Sequence, residues 1–248
     1  MNCLKHIPLN NAYNVRDLGG YPTQDGHFTR WNMLYRSDAL AALDEADWQI
    51  LKDRNIRTII DLRSTSEAAA SPIHVPEYMV YCQFSLMNTL DVRPQSMSRE
   101  AIIESMKLDY VKTLFGNMEC GAQILTTILE RMDAGAVLFL CSAGKDRTGI
   151  VAALSLYLCN VIREDIVADY IVSSTYNTNG INKKIANLPP EIMKMVPDME
   201  LLKDCFSSKS ETIIKLLDAF DAQDIRGKLD EAGFAREKQE MFREKMME

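Results

Sequence analysis

Residues 136–150 read AVLFLCSAGKDRTGI, and no other stretch limits the fold of this 248-residue chain as much. An apolar strand, AVLFL, runs straight into Cys141, and Arg147 opens an apolar helix read as 148–159, with Gly144 and Gly149 at the bends. Such a turn sets a thiol, a guanidinium and successive backbone N–H groups around one small anion. The expected site is therefore a phosphate site at the carboxyl end of a strand, where open α/β sheets place their ligands.

The rest of the chain fits the same class. Residues 1–37 alternate turn signals (Asn10-Asn11, Gly19-Gly20, Asp25-Gly26) with short segments, which predicts a β-hairpin region decorating a sheet edge. A short helix is expected over 44–55, a buried strand at 57–62 with Asp61 at its end, and a further strand at 78–86. A polar loop through Asp91 and Pro94 follows, then helices at 98–117, opened by Ser98 as N-cap, and at 120–132. After the 136–140 strand come helices at 148–159 and 163–176, a stretch broken by Pro189-Pro190 and Pro197, and amphipathic helices at 208–220 and 224–247. The expectation is one α/β domain over 1–248, with a central, mostly parallel sheet flanked by helices. Its helical part, 177–248, is expected to serve as a lid over the site.

Charge and cysteine usage exclude several functions. With 28 Lys+Arg against 35 Asp+Glu, a net charge of −7, the chain has no basic stripe for nucleic acid or an anionic membrane, so any phosphate site must be local. No signal-like segment opens the sequence and no apolar run approaches the roughly 20 residues that span a bilayer. Cytoplasmic residence without membrane insertion is the expectation. Six cysteines without a CxxC pair are read as free thiols, and three histidines at no ligand spacing argue against zinc or any other metal. The fourteen methionines read as flexible core filling.

A bare C-x5-R is weak evidence, since six cysteines and fourteen arginines give such a spacing by chance about one time in three. Context makes it specific, because only Cys141 has Arg at the sixth position and only Cys141 lies between an apolar strand and a helix. The N–H groups of Ser142, Ala143, Gly144, Lys145, Asp146 and Arg147 can turn inward as an anion nest, with the positive end of the helix behind them. Those fields favour a thiolate, which would attack phosphorus directly. Arg147 supplies a planar fork for two phosphate oxygens, Gly144 permits φ > 0, Gly149 permits close packing of the helix start, and the Thr148 hydroxyl is placed to hydrogen-bond the thiolate.

The segment CSAGKDRTG resembles the phosphate-binding loop of the cysteine-dependent protein tyrosine phosphatase superfamily, specifically the bacterial tyrosine/serine phosphatases with a GKDRTG loop. NVRDLGGYPTQDGHFTRWNMLYRSDAL (14–40) and RTIIDLRSTSE (57–67) are similar to two further segments of that family, and the terminal DIRGKLDEAGFAREKQEMFREKM is so more loosely. One position departs: Leu140 stands where the superfamily usually has a histidine that helps orient the loop. The resemblance implies hydrolysis of phosphomonoesters through a Cys141 thiophosphate without a metal or other cofactor. Phosphotyrosine in a protein is the first substrate, with phosphoserine/threonine or a phosphoinositide as variants.

Three aspartates are candidates for proton transfer to the leaving group. Asp61 matches the family's D-L-R-S aspartate; its alternative role is a turn cap paired with Arg63. Asp91 lies in a loop, and Asp146 lies inside the anion loop, where it could instead position water or hold Lys145. Lys145 beside Arg147 adds local positive charge suited to a multiply charged head group, and its alternative is a solvated loop lysine. Arg16 and Asp17 are expected to form a structural ion pair. Two other functions stay open: a non-catalytic phosphate-binding module, for which Leu140 speaks, and a rhodanese-like sulfurtransferase, whose loop is usually shorter and lacks the Arg-Thr-Gly ending.

Overall fold

The computed structural model describes residues 5–87, 108–180, 182 and 207–248. Its strands are β1 (Arg16–Asp17), β2 (Leu34–Ser37), β3 (Ile56–Asp61), β4 (Val80–Gln83) and β5 (Ala136–Leu140). They form one sheet in the order β1-β2-β5-β3-β4, antiparallel at β1–β2 and parallel elsewhere. The described helices are α1 (Glu45–Asp53), α2 (Thr65–Ala70), α3 (Tyr110–Phe115), α4 (Met118–Arg131), α5 (Asp146–Leu158), α6 (Arg163–Tyr176), α7 (Ser210–Ala222), α8 (Ile225–Glu231) and α9 (Arg236–Met246). The α/β class with a mostly parallel sheet between helices is as expected.

Strand periodicity sorts the core into two layers. Leu34, Ile60, Val137, Phe139 and Cys141 face one side, where α3 to α9 supply Leu125, Ile128, Leu154, Leu217 and Phe242. Tyr35, Ile59, Leu138 and Leu140 face the other, against Leu51 of α1 and the N-terminal Ile7 and Val15. β5 lies at the centre of the sheet and is buried at every position, so its end points the following loop into the protein between β2 and β3.

Two expectations need correction. The hairpin region is more than an edge decoration: β1 is the edge, but β2 is fully buried and pairs in parallel with β5, so it belongs to the central sheet. The single helix expected over 224–247 is two, α8 and α9, because Gly233 adopts φ 97 and turns the chain so that Phe234 enters the core against Phe242. Of the 177–248 part expected to serve as a lid, residues 181 and 183–206 lie outside the described residues. Ile213, Leu216, Leu217, Phe220, Leu229 and Phe242 of α7 to α9 are buried in the main core, making these helices a wall of it.

Boundaries elsewhere shift by a few residues. α1 is held by a capping box in which Asp44 accepts from the Asp47 backbone N–H, and it stops before Asn55, whose φ is 57. α5 starts two residues before the expected 148, which brings Asp146 and Arg147 into its first turn. Ser98, Asp91, Pro94 and the proline-interrupted stretch around Pro189-Pro190 and Pro197 lie outside the described residues. Among the described residues, no helix is long and apolar enough to cross a membrane.

Candidate active site

Side chains alternate along β5, so Leu140 and Cys141 part to opposite faces. Leu140 is packed into the smaller core with Tyr35 and Ile59, which explains why an apolar residue serves there. Cys141 continues the Phe139 side and is only 2% exposed. The chain then needs five residues, Cys141 to Lys145, to reach the first turn of α5. Gly144 has φ 63, and a Cβ on it would lie 2.5 Å from the Ser37 carbonyl oxygen and 2.6 Å from the Asp38 nitrogen. Both its expected backbone angle and its fit against the end of β2 therefore exclude a side chain. Gly149 lets α5 pack on Tyr170, whose ring would be 3.0 Å from an added Cβ.

Arg147 is gripped from one side. Its Nη1 donates to Glu67 Oε2 at 2.5 Å and its Nη2 to Glu67 Oε1 at 2.8 Å, while Ser142 Oγ donates to the same carboxylate at 2.8 Å. Nη1 also lies 3.3 Å from Met87 Sδ. The carboxylate is itself fixed, because Glu67 is the third residue of the α2 capping box and accepts from the Ser64 backbone N–H at 2.9 Å. Burial alone would raise the Glu67 carboxyl, but the Arg147 and Ser64 hydrogen bonds outweigh it and hold the group well below the usual carboxylate range. A guanidinium has two usable edges. Glu67 occupies the Nη1–Nη2 edge, which sets the Nε–Nη2 edge as the one for an anion.

The candidate acids are placed very differently. Asp61 is 0% exposed, and its carboxylate accepts from Arg63 through the backbone N–H (2.9 Å), Nε (3.0 Å) and Nη2 (2.7 Å), and from Tyr81 Oη at 2.8 Å. This is the turn-capping ion pair that was the alternative reading, and no face of the carboxyl is left toward a substrate. Asp146, in contrast, has a side chain 33% exposed at the mouth of α5. Tyr110 Oη donates to its Oδ1 at 2.5 Å and Lys145 Nζ stands 3.3 Å from the same oxygen. Tyr110 has one proton to give, so Tyr170 Oη, 2.7 Å away, is the donor to Tyr110. Asp91 lies outside the described residues.

Lys145 is not the solvated lysine of the alternative reading. Its side chain is 9% exposed and Nζ donates to the Ser207 carbonyl at 3.2 Å as well as approaching Asp146. Thr148 Oγ1 is buried and makes no hydrogen bond in this structure, to Cys141 or to any other described residue. Among the described residues there is no group of three or more His, Cys, Asp or Glu arranged to hold a metal.

Behind the loop lies a buried charged network. Arg16 and Arg36 are direct cross-strand neighbours, a repulsive pairing unless a counterion joins them. Asp169 of α6 is that counterion, accepting from Arg16 Nε at 2.8 Å, Arg36 Nη1 at 2.5 Å and Tyr21 Oη at 2.9 Å. The expected Arg16–Asp17 pair is thus corrected: Asp17 instead accepts from the backbone N–H groups of Gly19 and Asn32. Burial would raise the Asp169 carboxyl, yet the two guanidiniums hold it well below the usual range. Its contribution to stability is therefore complete above roughly pH 4, the ordinary carboxyl value, and is lost as pH falls from there through the depressed folded value. Asp169→Asn is expected to destabilise the fold by roughly 3–5 kcal/mol near neutral pH, because two buried guanidiniums lose their charge partner. Urea denaturation checks this.

A model of the tyrosine phosphatase family matches residues 7–248. The chain belongs to that family. It is 36% identical over 143 residues to a tyrosine-protein phosphatase of Nostoc commune, covering 57% of this chain and 48% of the relative, so the match spans about half of that protein's length. It is 28% identical to a putative tyrosine-protein phosphatase of Cupriavidus necator, covering 73% of this chain and 68% of the other. It is 30% identical to the triple specificity protein phosphatase PtpB of Mycobacterium tuberculosis, covering 67% and 68% respectively. The crystal structure of Pseudomonas aeruginosa TpbA aligns at a TM-score of 0.36 and 14% identity, over 65% of this chain and 91% of that one, a likeness too slight to bear on fold or function.

In this tyrosine phosphatase family member, the sequence reading brought Cys141, Arg147 and the loop together but passed over Glu67, Tyr110, Asn14, Arg36, Asp169 and Asn177. Glu67 carried a signal: Ser64-Thr-Ser-Glu67 after a strand is a capping box, and it starts at the residue next to Arg63. The others are separated from the loop by up to 130 residues and have no local pattern.

Proposed function

We propose that this protein hydrolyses phosphomonoesters, phosphotyrosine in a protein first, through a covalent Cys141 thiophosphate. What carries the reading is the convergence of Cys141, an Arg147 held by Glu67, and the N-terminal turn of α5 on one loop, in a chain of the tyrosine phosphatase family. The Nε–Nη2 edge of Arg147 and the loop N–H groups bind the phosphoryl oxygens, and the α5 dipole adds to that field. The sulfur of Cys141 attacks phosphorus, the S–P bond forms as the P–O bond breaks, and the Asp146 carboxyl gives its proton to the departing oxygen. Water then attacks phosphorus and gives its proton to the Asp146 carboxylate. The S–P bond breaks, and thiolate and inorganic phosphate are released.

Asp146 is chosen over Asp61 because it alone of the two keeps an exposed face. The Thr148 hydroxyl expected to bond Cys141 has no partner in the structure, so the proposed thiolate rests on the loop N–H groups, Arg147 and the α5 dipole. Phosphoserine and phosphothreonine are within the proposed range, in keeping with the triple specificity for which the Mycobacterium tuberculosis relative is named. The phosphoinositide variant rested on the positive charge that Lys145 adds beside Arg147, and Lys145 Nζ is engaged by the Ser207 carbonyl and Asp146.

Turnover of a chromogenic aryl phosphate in excess chelator is the direct test. Activity is expected to be unchanged by the chelator, and a loss restored by zinc or magnesium would overturn the metal-free mechanism. Tight binding of inorganic phosphate without any turnover would point instead to a non-catalytic module.

A further inference from the structure

Two carbonyls of the loop accept four hydrogen bonds from three side chains. Asn14 Nδ2 donates to Ala143 O (3.2 Å) and Gly144 O (2.9 Å), Arg36 Nη2 donates to Gly144 O (2.8 Å), and Asn177 Nδ2 donates to Ala143 O (2.7 Å). The donors come from three different places: the residues before β1, the strand β2, and the C-terminal end of α6. Each is fixed in turn. Arg16 Nη1 donates to Asn14 Oδ1, and the Asn14 backbone N–H donates to Asp38 Oδ1 at 3.0 Å. Arg36 is held by Asp169, and Asn177 caps α6.

A trans peptide is planar, with its N–H directed opposite to its C=O. Holding the Ala143 carbonyl toward these donors therefore turns the Gly144 N–H to the other side of the loop, and holding the Gly144 carbonyl toward them does the same for the Lys145 N–H. Donation to a carbonyl also polarises its peptide and strengthens the N–H as a donor, the more so from a charged guanidinium. We infer that Asn14, Arg36 and Asn177 are positioning residues: together they form a bracket that aims the Gly144 and Lys145 N–H groups at the bound phosphoryl group. The bracket also couples the loop to Asp169, so the ion network behind β1 and β2 sets the geometry of anion binding. This deepens the phosphatase reading and rests on it only for its turnover readout.

The test uses Asn14→Ala, Asn177→Ala and Asn177→Asp in the full chain, with Arg36→Lys as a fourth variant that keeps the charge near Asp169. Three quantities are measured well below each variant's thermal midpoint: the Kd for inorganic phosphate by calorimetry, kcat and KM for an aryl phosphate, and the rate of iodoacetamide alkylation at mildly acidic pH. Each asparagine variant is expected to weaken phosphate binding by about tenfold, the scale of one misdirected charge-assisted donor, and to slow alkylation by a similar factor. The Asn14→Ala/Asn177→Ala double variant is expected to lose about 100-fold, Asn177→Asp to be no better than Asn177→Ala, and Arg36→Lys, which loses the bond to the Gly144 carbonyl, to weaken phosphate binding by about tenfold as well. Folded asparagine variants with wild-type phosphate affinity and alkylation rate, whatever their thermal midpoints, would overturn the inference and leave the phosphatase reading intact. A wild-type protein that binds phosphate without turnover overturns the phosphatase reading instead, and the affinity series still decides the bracket. Absence of phosphate binding by the wild type would overturn both.

Discussion

Cys141→Ser is expected to reduce aryl phosphate turnover by about 10⁴-fold or more, the scale on which loss of a nucleophile acts, while inorganic phosphate or vanadate still binds. The two halves of that result come from different groups. Turnover needs a sulfur that is anionic and nucleophilic, and no histidine among the described residues near the loop is available to deprotonate a serine hydroxyl in its place: His6 stacks on Tyr176 and bonds the Tyr13 carbonyl. Binding, in contrast, comes from Arg147, the loop N–H groups and the end of α5, none of which the substitution removes. Serine is close to isosteric with cysteine, so the variant should keep the core contacts of Cys141 with the Phe139 side of the sheet. Wild-type-like turnover by the serine variant would end the thiophosphate mechanism. Loss of both turnover and phosphate binding, in a variant that still folds, would mean that the sulfur itself is the main anion contact.

The strand, the nucleophile and the arginine were legible because their pattern is local. AVLFL, Cys141, Gly144 and Arg147 lie within a dozen residues, and each is dictated by a short-range constraint: buried strand, nest, φ > 0 and helix start. What the sequence hid is everything that reaches the loop from elsewhere. Arg36 looks like an ordinary strand residue until β2 is known to pair with β5, which puts it on the same face as Phe139 and Cys141. Asp169 reads as one more acidic residue in a helix, and its role depends on two arginines far away in sequence. Glu67 shows a middle case, since its capping box was readable but its second function, holding Arg147 across the loop, was not. The surroundings of Asp61, the candidate acid that the resemblance favoured, were hidden for a related reason. A place at a strand end does not say which way the carboxylate faces: Arg63 two residues on bends back to it, and Tyr81 from β4 donates to it as well.

The difference between Asp61 and Asp146 leads to opposite kinetic behaviour on substitution. A good aryl leaving group departs with little protonation, whereas phosphotyrosine and alkyl phosphates need a proton in the transition state, so loss of the acid penalises poor leaving groups most. Asp146→Asn is therefore expected to slow phosphotyrosine hydrolysis by roughly 10²–10⁴-fold, the usual general-acid contribution, and an activated aryl phosphate much less. The isosteric amide can still accept from Tyr110 and Lys145, which limits any change in the position of the side chain. Asp61→Asn is expected to act on stability, by roughly 3–5 kcal/mol, because it leaves Arg63 buried without its counterion. Any loss of activity in the folded fraction of that variant should be the same for all leaving groups. Rates on a series of aryl phosphates of graded leaving-group acidity, plotted for both variants beside the wild type, separate the two roles. A steeper dependence in Asp61→Asn with an unchanged slope in Asp146→Asn would return the acid to the end of β3, and would require Arg63 to release the carboxylate when substrate binds.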